Sequence, residues 1–277
     1  MPTKKNKTGL SIAIQSTIFS RKNGKPLIEK KQPSEYTVKI ANCLEEKEAV
    51  FRMAYQVYLE KGYIKENPNQ WLVQSYDFEE DTIILIVQDK EKNIVGTVTL
   101  VFDGKSKLPA QKIYSEEIRF LKASKEKVVE ISRLVIKPVF RNSKEILVLL
   151  FNYLAIYSSL VKEYTCLAIE VNPRHKNYYK ELLGFEEIGG EKPCPSVQNA
   201  PAILLYLPLQ KYHLEVDRCQ KGSESNKKDR TLYPYFIKPE QENLVAHYLK
   251  NQTRPMRAEE KSYFGFTESG ATKAVSV

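Results

Sequence analysis

Cysteine is scarce in this sequence of 277 residues. The four cysteines are Cys43, Cys166, Cys194 and Cys219. Their separations fit no paired zinc spacing, and a chain of this length does not need a disulfide frame to fold. The three histidines form no evident dyad with them. We therefore expect reduced thiols, no metal site and a cytoplasmic protein.

Long apolar runs are also lacking. The longest, Ile146–Tyr157, is interrupted by Asn152 and falls short of the roughly 18 residues that a membrane-spanning helix needs. The N-terminus imitates a signal peptide in segment 9–19, but polar residues interrupt its apolar part and no small-x-small cleavage site follows. We expect neither a membrane span nor secretion, and we retain segment 10–19 as a candidate for peripheral contact with a membrane surface.

Positive charge is in excess, with 43 basic against 34 acidic residues, but the excess lies at the two ends of the chain. Residues 1–35 carry +6 and residues 217–277 carry +3, so the middle is neutral. No basic helix with interleaved aromatic residues stands out, and we expect no binding of nucleic acid. The segment Arg119–Lys144 is locally basic, which suits either an acidic partner or a solvated face.

Hydrophobic periodicity predicts strands that alternate with helices. The predicted strands are Tyr36–Ala41, Thr82–Gln88, Ile94–Phe102, Lys127–Ile136, Tyr164–Val171 and Ala200–Leu209. The predicted helices are Glu45–Gly62, Ser115–Ala123, Ser143–Glu163 and Pro173–Leu183. This order predicts an α/β (α+β) fold with a mixed central sheet covered by helices on both faces. We divide the chain into a basic extension at 1–35, a catalytic domain at 36–216, and a linker with a docked appendage at 217–277.

Three polar residues interrupt the apolar strand Lys127–Ile136. Strand alternation places Glu130 and Ser132 on one face and Arg133 on the other. A buried carboxylate costs several kcal/mol unless it is paired or hydrogen-bonded, so these residues need a reason to be there. An ion pair with a neighbouring strand, or a sheet face open to water, is the alternative to a catalytic role.

The same strand carries a resemblance. Glu130–Arg133, followed by an apolar strand end and Arg141, resembles the core strand of acyl-homoserine-lactone synthases, which are acyltransferases of the GNAT fold. A closer similarity is to the long-chain N-acyl amino acid synthases. Its motifs are Phe51–Tyr58, Val171–Phe185, Pro193–Val197, Ala200–Leu205 and Thr231–Phe236. The resemblance covers about residues 30–260 and implies a GNAT-like acyl-CoA N-acyltransferase fold.

The resemblance implies a bacterial cytoplasmic enzyme of lipid signalling. Such an enzyme would transfer a fatty acyl group from acyl carrier protein to the α-amine of an amino acid. The donor would carry 4′-phosphopantetheine, as acyl carrier protein or alternatively acyl-CoA, and no bound cofactor is expected. An autoinducer synthase, a coenzyme-A-dependent acetyltransferase and a non-catalytic acyl-binding or carrier-binding module are the competing hypotheses.

The resemblance also implies roles for residues of the central strand. Glu130 would accept the amine proton, Ser132 would assist, and Arg133 would bind the amino-acid carboxylate or position Glu130. In the family's fold the strands 127–136 and 164–171 splay apart. Unpaired backbone N–H groups near Leu134, Val135 and Ile136 would then hold the thioester carbonyl.

Residues outside this strand complete the expected site. Asp77 would bind the amine or, alternatively, lie in an exposed turn. The similarity places Arg52 and Tyr55 among the substrate-binding residues. Tyr179 would protonate the leaving thiolate or simply pack in the core. We expect a surface or packing role for His175.

Glycine is scarce at the position where coenzyme-A users of this fold bind pyrophosphate. The chain has 11 glycines, about 4% against a typical 7%. The segment Arg141–Ile146 contains none, so a tight phosphate cradle is not encoded. We therefore favour a protein-borne pantetheine arm, with Lys122, Lys137, Arg141 and Lys144 steering an acidic carrier protein.

Overall fold

The computed structural model describes residues 35–104, 107–221 and 230–266, and the backbone of four two-residue strands before residue 35. These strands pair as Gln15–Ser16 with Gln32–Pro33 and Arg21–Lys22 with Lys25–Pro26. The side chains of residues 1–34 and the polar stretch 222–229 lie outside the described residues. The membrane contact expected of segment 10–19 falls there as well.

A mixed sheet forms the centre of the fold, as the sequence predicts, and it has seven strands where six were predicted. Its strands are β1 (Thr37–Ile40), β2 (Ile83–Gln88), β3 (Ile94–Phe102), β4 (Val128–Ile136), β5 (Cys166–Val171), β6 (Glu186–Cys194) and β7 (Ala200–Pro208). Their spatial order is β6-β7-β5-β4-β3-β2-β1. Every neighbouring pair is antiparallel except β4 and β5, which are parallel.

Strand β6 is absent from the sequence-based prediction. Its sequence contains two consecutive glycines and a proline, which lower strand propensity and hide any alternation. It forms an edge of the sheet and pairs with β7 through two register shifts. Tolerance of bulges and proline is typical of an edge strand, which explains why the pattern gave no signal.

Seven helices are described, and they cover both faces of the sheet. They are α1 (Leu44–Glu60), α2 (Ser115–Ala123), α3 (Lys144–Ile156), α4 (Lys176–Leu183), α5 (Leu209–Gln220), α6 (Pro239–Lys250) and α7 (Ala258–Tyr263). Helices α1 and α2 pack on one face, and α3 to α6 pack on the other. With its π-helical last turn, the stretch Lys144–Val161 is long and apolar enough to cross a membrane, but 72% of it is buried inside the protein. It is the core helix of the fold.

Asn152 explains how an amide is accommodated inside this apolar helix. Its side-chain nitrogen donates to the Tyr212 hydroxyl at 2.6 Å, and its oxygen accepts from the backbone N–H of Ile237 at 2.8 Å. Both bonds tie the C-terminal part of the chain to α3. Phe236 and Leu249 belong to the same hydrophobic core as α3, and α5 runs through the border that we predicted at residue 216.

Two adjacent glycines in β6 give a test of packing. A Cβ on Gly189 would lie 2.6 Å from Cδ1 of Tyr114, whereas a Cβ on Gly190 would meet nothing within 4 Å. Tyr114 is fully buried, and its hydroxyl donates to the carbonyl of Ala202 at 2.6 Å, so its ring cannot move away cheaply. We expect Gly189→Ala to lower the free energy of unfolding by about 1–3 kcal/mol. Urea unfolding of Gly190→Ala is the matched control, and equal midpoints for the two variants would contradict this packing.

Candidate active site

The parallel strands β4 and β5 separate halfway along their length. Their register pairs run only from Val128 with Cys166 to Ile131 with Ile169. Beyond Ile131, the rest of β4 pairs only with β3 within the described sheet. The structure therefore contains the gap that we predicted between these two strands.

A β-bulge at Arg133 changes the direction of the strand beside the gap. Arg133 has φ of 44°, and the pairing of β3 with β4 shifts register between Thr97 and Thr99. The Ser132 hydroxyl lies 3.0 Å from the Tyr76 hydroxyl, and the Arg133 guanidinium lies over the same Tyr76 ring. The two side chains are thus on one face. Our prediction that Arg133 points to the far face was wrong, because the bulge breaks strict alternation.

Past the bulge, at least one backbone N–H is directed into the gap. The N–H of Lys137 donates to the carbonyl of Val95 on β3 at 2.9 Å. Successive N–H groups along a strand point to opposite edges, so the N–H of Ile136 points toward β5. Leu134, Val135 and Ile136 all line the gap. This edge is placed to donate to a carbonyl oxygen of a bound ligand.

A cavity of about 480 Å³ occupies the gap, and its lining includes residues from both faces of the sheet. On the side of α1 and α2 it is lined by polar groups, including Tyr76, Lys112, Glu130, Ser132 and Glu170. On the side of α3 and α4 its lining includes the apolar or aromatic residues Leu147, Val171, Tyr178 and Tyr179. Among the described residues, no group of three His, Cys, Asp or Glu side chains is placed to hold a metal ion.

Glu130 is the buried carboxylate of this cavity, with 2% of its surface exposed. The backbone N–H of Ala110, from the loop before α2, donates to its Oε2 at 2.8 Å. Burial, with the nearby charge of Glu170, raises the pKa of Glu130 to about 8, although the Ala110 bond and Lys112 oppose the rise. A carboxylate with this pKa can take or release a proton near neutral pH.

This pKa predicts a specific dependence of stability on pH. The ordinary value is 4.5, so the folded protein holds a proton that the unfolded chain has released. The stabilisation is complete below pH 4.5 and is lost as the pH rises to 8. Through Glu130 alone, we expect the free energy of unfolding to fall by about 2 kcal/mol between pH 6 and pH 8. Urea unfolding of Glu130→Gln at both pH values should lack this fall, and an identical pH dependence in the variant would refute it.

Asp77 and Arg133 form a buried ion pair at the wall of the cavity, to which Arg133 contributes lining and Asp77 does not. Asp77 is only 3% exposed, and its two carboxylate oxygens accept from both terminal nitrogens of Arg133. Arg133 also donates to the carbonyl of Leu72 at 2.8 Å and to Thr99 Oγ1 at 3.0 Å. Burial acts to lower the pKa of Arg133, but the Asp77 carboxylate outweighs it and holds the guanidinium charged. The alternative of an exposed turn at Asp77 is wrong, because this turn is packed against β4.

Two further predicted binding residues lie away from the cavity. The Arg52 guanidinium pairs with Glu48 at 2.8 Å and lies over the Trp71 ring. The Tyr55 hydroxyl accepts from the backbone N–H of Asn67 at 3.2 Å. Both residues support the loop after α1. Tyr179 does line the cavity, and burial raises the pKa of its hydroxyl.

The predicted carrier-docking residues are dispersed. Arg141 lines the cavity at its mouth. Lys122, at the end of α2, pairs with Asp103 at 2.7 Å, near the closed end of the gap. Lys137 lies beside the first turn of α1, and Lys144 is exposed in the first turn of α3. The structure does not bring these four residues together.

Sequence reasoning missed several residues that line the cavity. Glu170 is the polar residue of a buried strand, so the signal that drew attention to Glu130 was present there too. Lys112 gave no signal, because its position depends on a single-turn helix folded against β4. Lys61, at the end of α1, and His175, before α4, also line the cavity beside Arg141.

Comparison with known proteins agrees with this geometry. The family model described as FeeM, N-acyl amino acid synthase, matches residues 49–208. No curated protein sequence matches the chain at a significant level.

Solved structures also match the chain. One is the structure of FeeM, an N-acyl amino acid synthase from uncultured soil microbes. The match covers 65% of this chain and 93% of the FeeM chain, with 24% identity and a TM-score of 0.56. The acyl-homoserine-lactone synthase LasI covers 63% of this chain and 89% of its own, at 16% identity and a TM-score of 0.47. An acyl-CoA N-acyltransferase from Pseudomonas aeruginosa covers 62% and 97%, at 14% identity and a TM-score of 0.44.

The chain therefore has the fold of the FeeM structure, a GNAT-like acyltransferase fold. The family match includes β2 to β5, the bulge at Arg133 and both sides of the gap. Because it spans more than half of the 277 residues, the protein belongs to the FeeM family of N-acyl amino acid synthases.

Proposed function

We propose that this N-acyltransferase moves a long-chain fatty acyl group from the 4′-phosphopantetheine thioester of an acyl carrier protein to the α-amine of an amino acid. The observation that carries the proposal is the cavity at the β4–β5 gap, where buried Glu130 lies beside a strand edge that β5 does not cover. Such a site offers a base for the amine, a donor for the oxyanion and a slot for an extended thioester arm.

The chemistry follows from these groups. The ammonium of the acceptor gives one proton to the Glu130 carboxylate, directly or through water. The freed nitrogen lone pair forms a C–N bond with the thioester carbonyl carbon, and the N–H of Ile136 stabilises the oxyanion. The C–S bond then breaks, and the thiolate takes the second proton that the nitrogen gives up. Glu130 returns its proton to solvent.

Approach of the acceptor prepares Glu130 for this role. Its pKa of about 8 means that the carboxyl is mostly protonated at pH 7 in the free protein. A cationic ammonium nearby favours the charged form and lowers the pKa. The base is therefore generated when the acceptor arrives, and we expect kcat/KM, which reports the free enzyme, to rise with pH toward 8.

The side of the cavity near α3 and α4 suits a fatty acyl chain. Leu147 and Val171 are buried there, and Tyr179 packs in an aromatic group with Phe151 and Phe185. Apolar surface of this kind stabilises each methylene removed from water by about 0.8 kcal/mol. This lining favours a long acyl group over an acetyl group.

Basic residues converge at the mouth of the cavity. Lys61, Arg141 and His175 line the cavity there and come from the end of α1, the turn before α3 and the turn before α4. Arg174, next to His175, lies close enough to Lys61 to act on its charge. Burial lowers the pKa of Lys61, and repulsion by Arg141 and Arg174 adds to it. An anion bound among these cations would reduce their mutual repulsion. The phosphate of the pantetheine arm provides one, and the glycine-free turn at Arg141 favours an arm carried by a protein over free coenzyme A.

Product analysis tests the proposed function. The purified protein is incubated with long-chain acyl carrier protein and a mixture of the twenty amino acids, and the products are identified by mass. We expect an N-acyl amino acid, formed faster from acyl carrier protein than from acyl-CoA. Release of methylthioadenosine from S-adenosylmethionine would indicate an autoinducer synthase instead. An acyl ligand that binds without being consumed would indicate a non-catalytic module.

The basic mouth gives a separate prediction. Replacing both Lys61 and Arg174 with Ala should raise KM for acyl carrier protein about tenfold, with little change in kcat, because rim charges act mainly on encounter. Steady-state kinetics at two salt concentrations measure the effect, and the variant should show a weaker salt dependence. Lys122→Ala, which removes a cation away from the cavity, is the control. An equal effect of the control would contradict docking at this mouth.

A further inference from the structure

Two charged side chains of the cavity have no part in the chemistry described above. Glu170 on β5 and Lys112, on the single-turn helix Pro109–Lys112, line the same side of the cavity as Glu130. Glu130 is in register with Ala168, and Glu170 lies two residues farther along the parallel strand. Since side chains two apart share a face, Glu170 stands next to Glu130 across the open part of the gap.

The three charges act on one another. Glu170 raises the pKa of Glu130, and Lys112 lowers the pKa of both carboxyl groups. Burial raises the pKa of Glu170, whereas a hydrogen bond with the Cys194 thiol opposes this. Glu170 is half-buried and forms no ion pair within 4.0 Å among the described residues. The Glu170 carboxylate can therefore accept an ion pair from a cationic ligand in the cavity.

Lys112 is the cation of this side that is free to take a ligand. Its Nζ donates to Ser196 Oγ at 3.4 Å, and the described residues place no carboxylate within 4.0 Å of it. Arg133 also lines this side of the cavity, but both of its terminal nitrogens are already bound by Asp77, Leu72 and Thr99. The other lining cations, Lys61 and Arg141, lie at the mouth of the cavity. An anionic group of a ligand therefore finds its partner in Lys112.

We infer that Glu170 and Lys112 together recognise the zwitterion of the acceptor. Glu170 binds the ammonium of the acceptor, and Lys112 binds its carboxylate. An α-amino acid carries these two groups on one carbon. They match one negative and one positive side chain that line the same side of a single cavity. Glu130 then receives the proton from the ammonium that Glu170 holds. The inference rests on the proposed function and adds that amines without a free carboxylate are poor acceptors.

The test compares one amino acid with its own carboxamide. The preferred acceptor from the product analysis and the amide of the same amino acid are assayed with acyl carrier protein as donor. In the wild type we expect kcat/KM at least tenfold higher for the acid. In Lys112→Met the ratio should fall to near one. Loss of Lys112 also raises the pKa of Glu130 and slows acid and amide alike, so the ratio and not either rate is the readout. Since the amide is turned over by the same enzyme, it serves as an internal measure of correct folding.

Two further variants complete the design. Glu170→Gln should lower kcat/KM for acid and amide by a similar factor of about ten, because both carry the ammonium. Lys122→Met, a lysine outside the cavity, should leave the ratio unchanged. A ratio that persists in Lys112→Met would overturn the inference and leave the proposed function standing. Absence of any acylated product from the wild type would overturn both.

Discussion

Replacing Glu130 with Gln is expected to lower kcat by roughly 10²–10⁴-fold, the usual contribution of a general base. The substitution is nearly isosteric, and the amide oxygen can still accept the N–H of Ala110, which now lies 2.8 Å from Oε2. It removes only the group that takes the proton from the amine. Steady-state kinetics with acyl carrier protein and the preferred amino acid measure the loss, and KM for the donor should change little.

The pH profile separates a base from a structural carboxylate. Wild-type kcat/KM, which reports ionisation of the free enzyme, should rise toward a plateau as Glu130 ionises with its pKa of about 8. The residual rate of Glu130→Gln should lack this rise. The variant should also unfold at an equal or higher urea concentration at pH 8, because it no longer buries a charge. A rate within threefold of the wild type would return Glu130 to the role of a buried, hydrogen-bonded side chain.

Replacing Asp77 with Ala should destabilise the protein by about 3–5 kcal/mol, since it leaves the Arg133 guanidinium buried without a counter-charge. Only 2% of the Arg133 side chain and none of the Asp77 side chain is exposed, so water cannot compensate. Arg133 lies at the bulge of β4 beside the cavity, so we expect activity to be lost as well. Equilibrium urea unfolding gives the free energy.

Two controls define this prediction. The double variant Asp77→Leu with Arg133→Met should recover most of the lost stability, because an apolar pair can replace a buried ion pair. Glu48→Ala removes an ion pair with Arg52, whose side chain is 43% exposed, and should cost less than about 1 kcal/mol. An Asp77→Ala variant as stable as Glu48→Ala would show that the pair is not needed.

The sequence predicted the sheet well where strands are apolar and failed where they are not. Strands such as Ile83–Gln88 and Ile94–Phe102 are buried along most of their length, and their β-branched runs leave little ambiguity. The edge strand Glu186–Cys194 was missed, because its few buried side chains are separated by glycine and charge. Its existence depends on pairing with β7, which no local pattern reports.

The candidate site was predictable only in part, for a similar reason. Glu130 was found because a carboxylate in a buried strand is costly, and the structure shows it buried and hydrogen-bonded. The orientation of Arg133 was predicted wrongly, because a bulge with positive φ overrides the alternation that the prediction assumed. Lys112 and Lys61 reach the cavity through tertiary packing of loops and helix ends, which leaves no trace in their local sequence.

The central claim is that the open edge of β4 receives the thioester. Amide hydrogen exchange of Ile136, whose N–H points into the gap, tests it most directly, with and without a non-hydrolysable long-chain acyl pantetheine thioether. We expect exchange of this amide to slow at least tenfold when the analogue is bound, while Val128–Ile131, already paired with β5, stays unchanged. Unchanged exchange of Ile136 at saturating analogue would contradict the account.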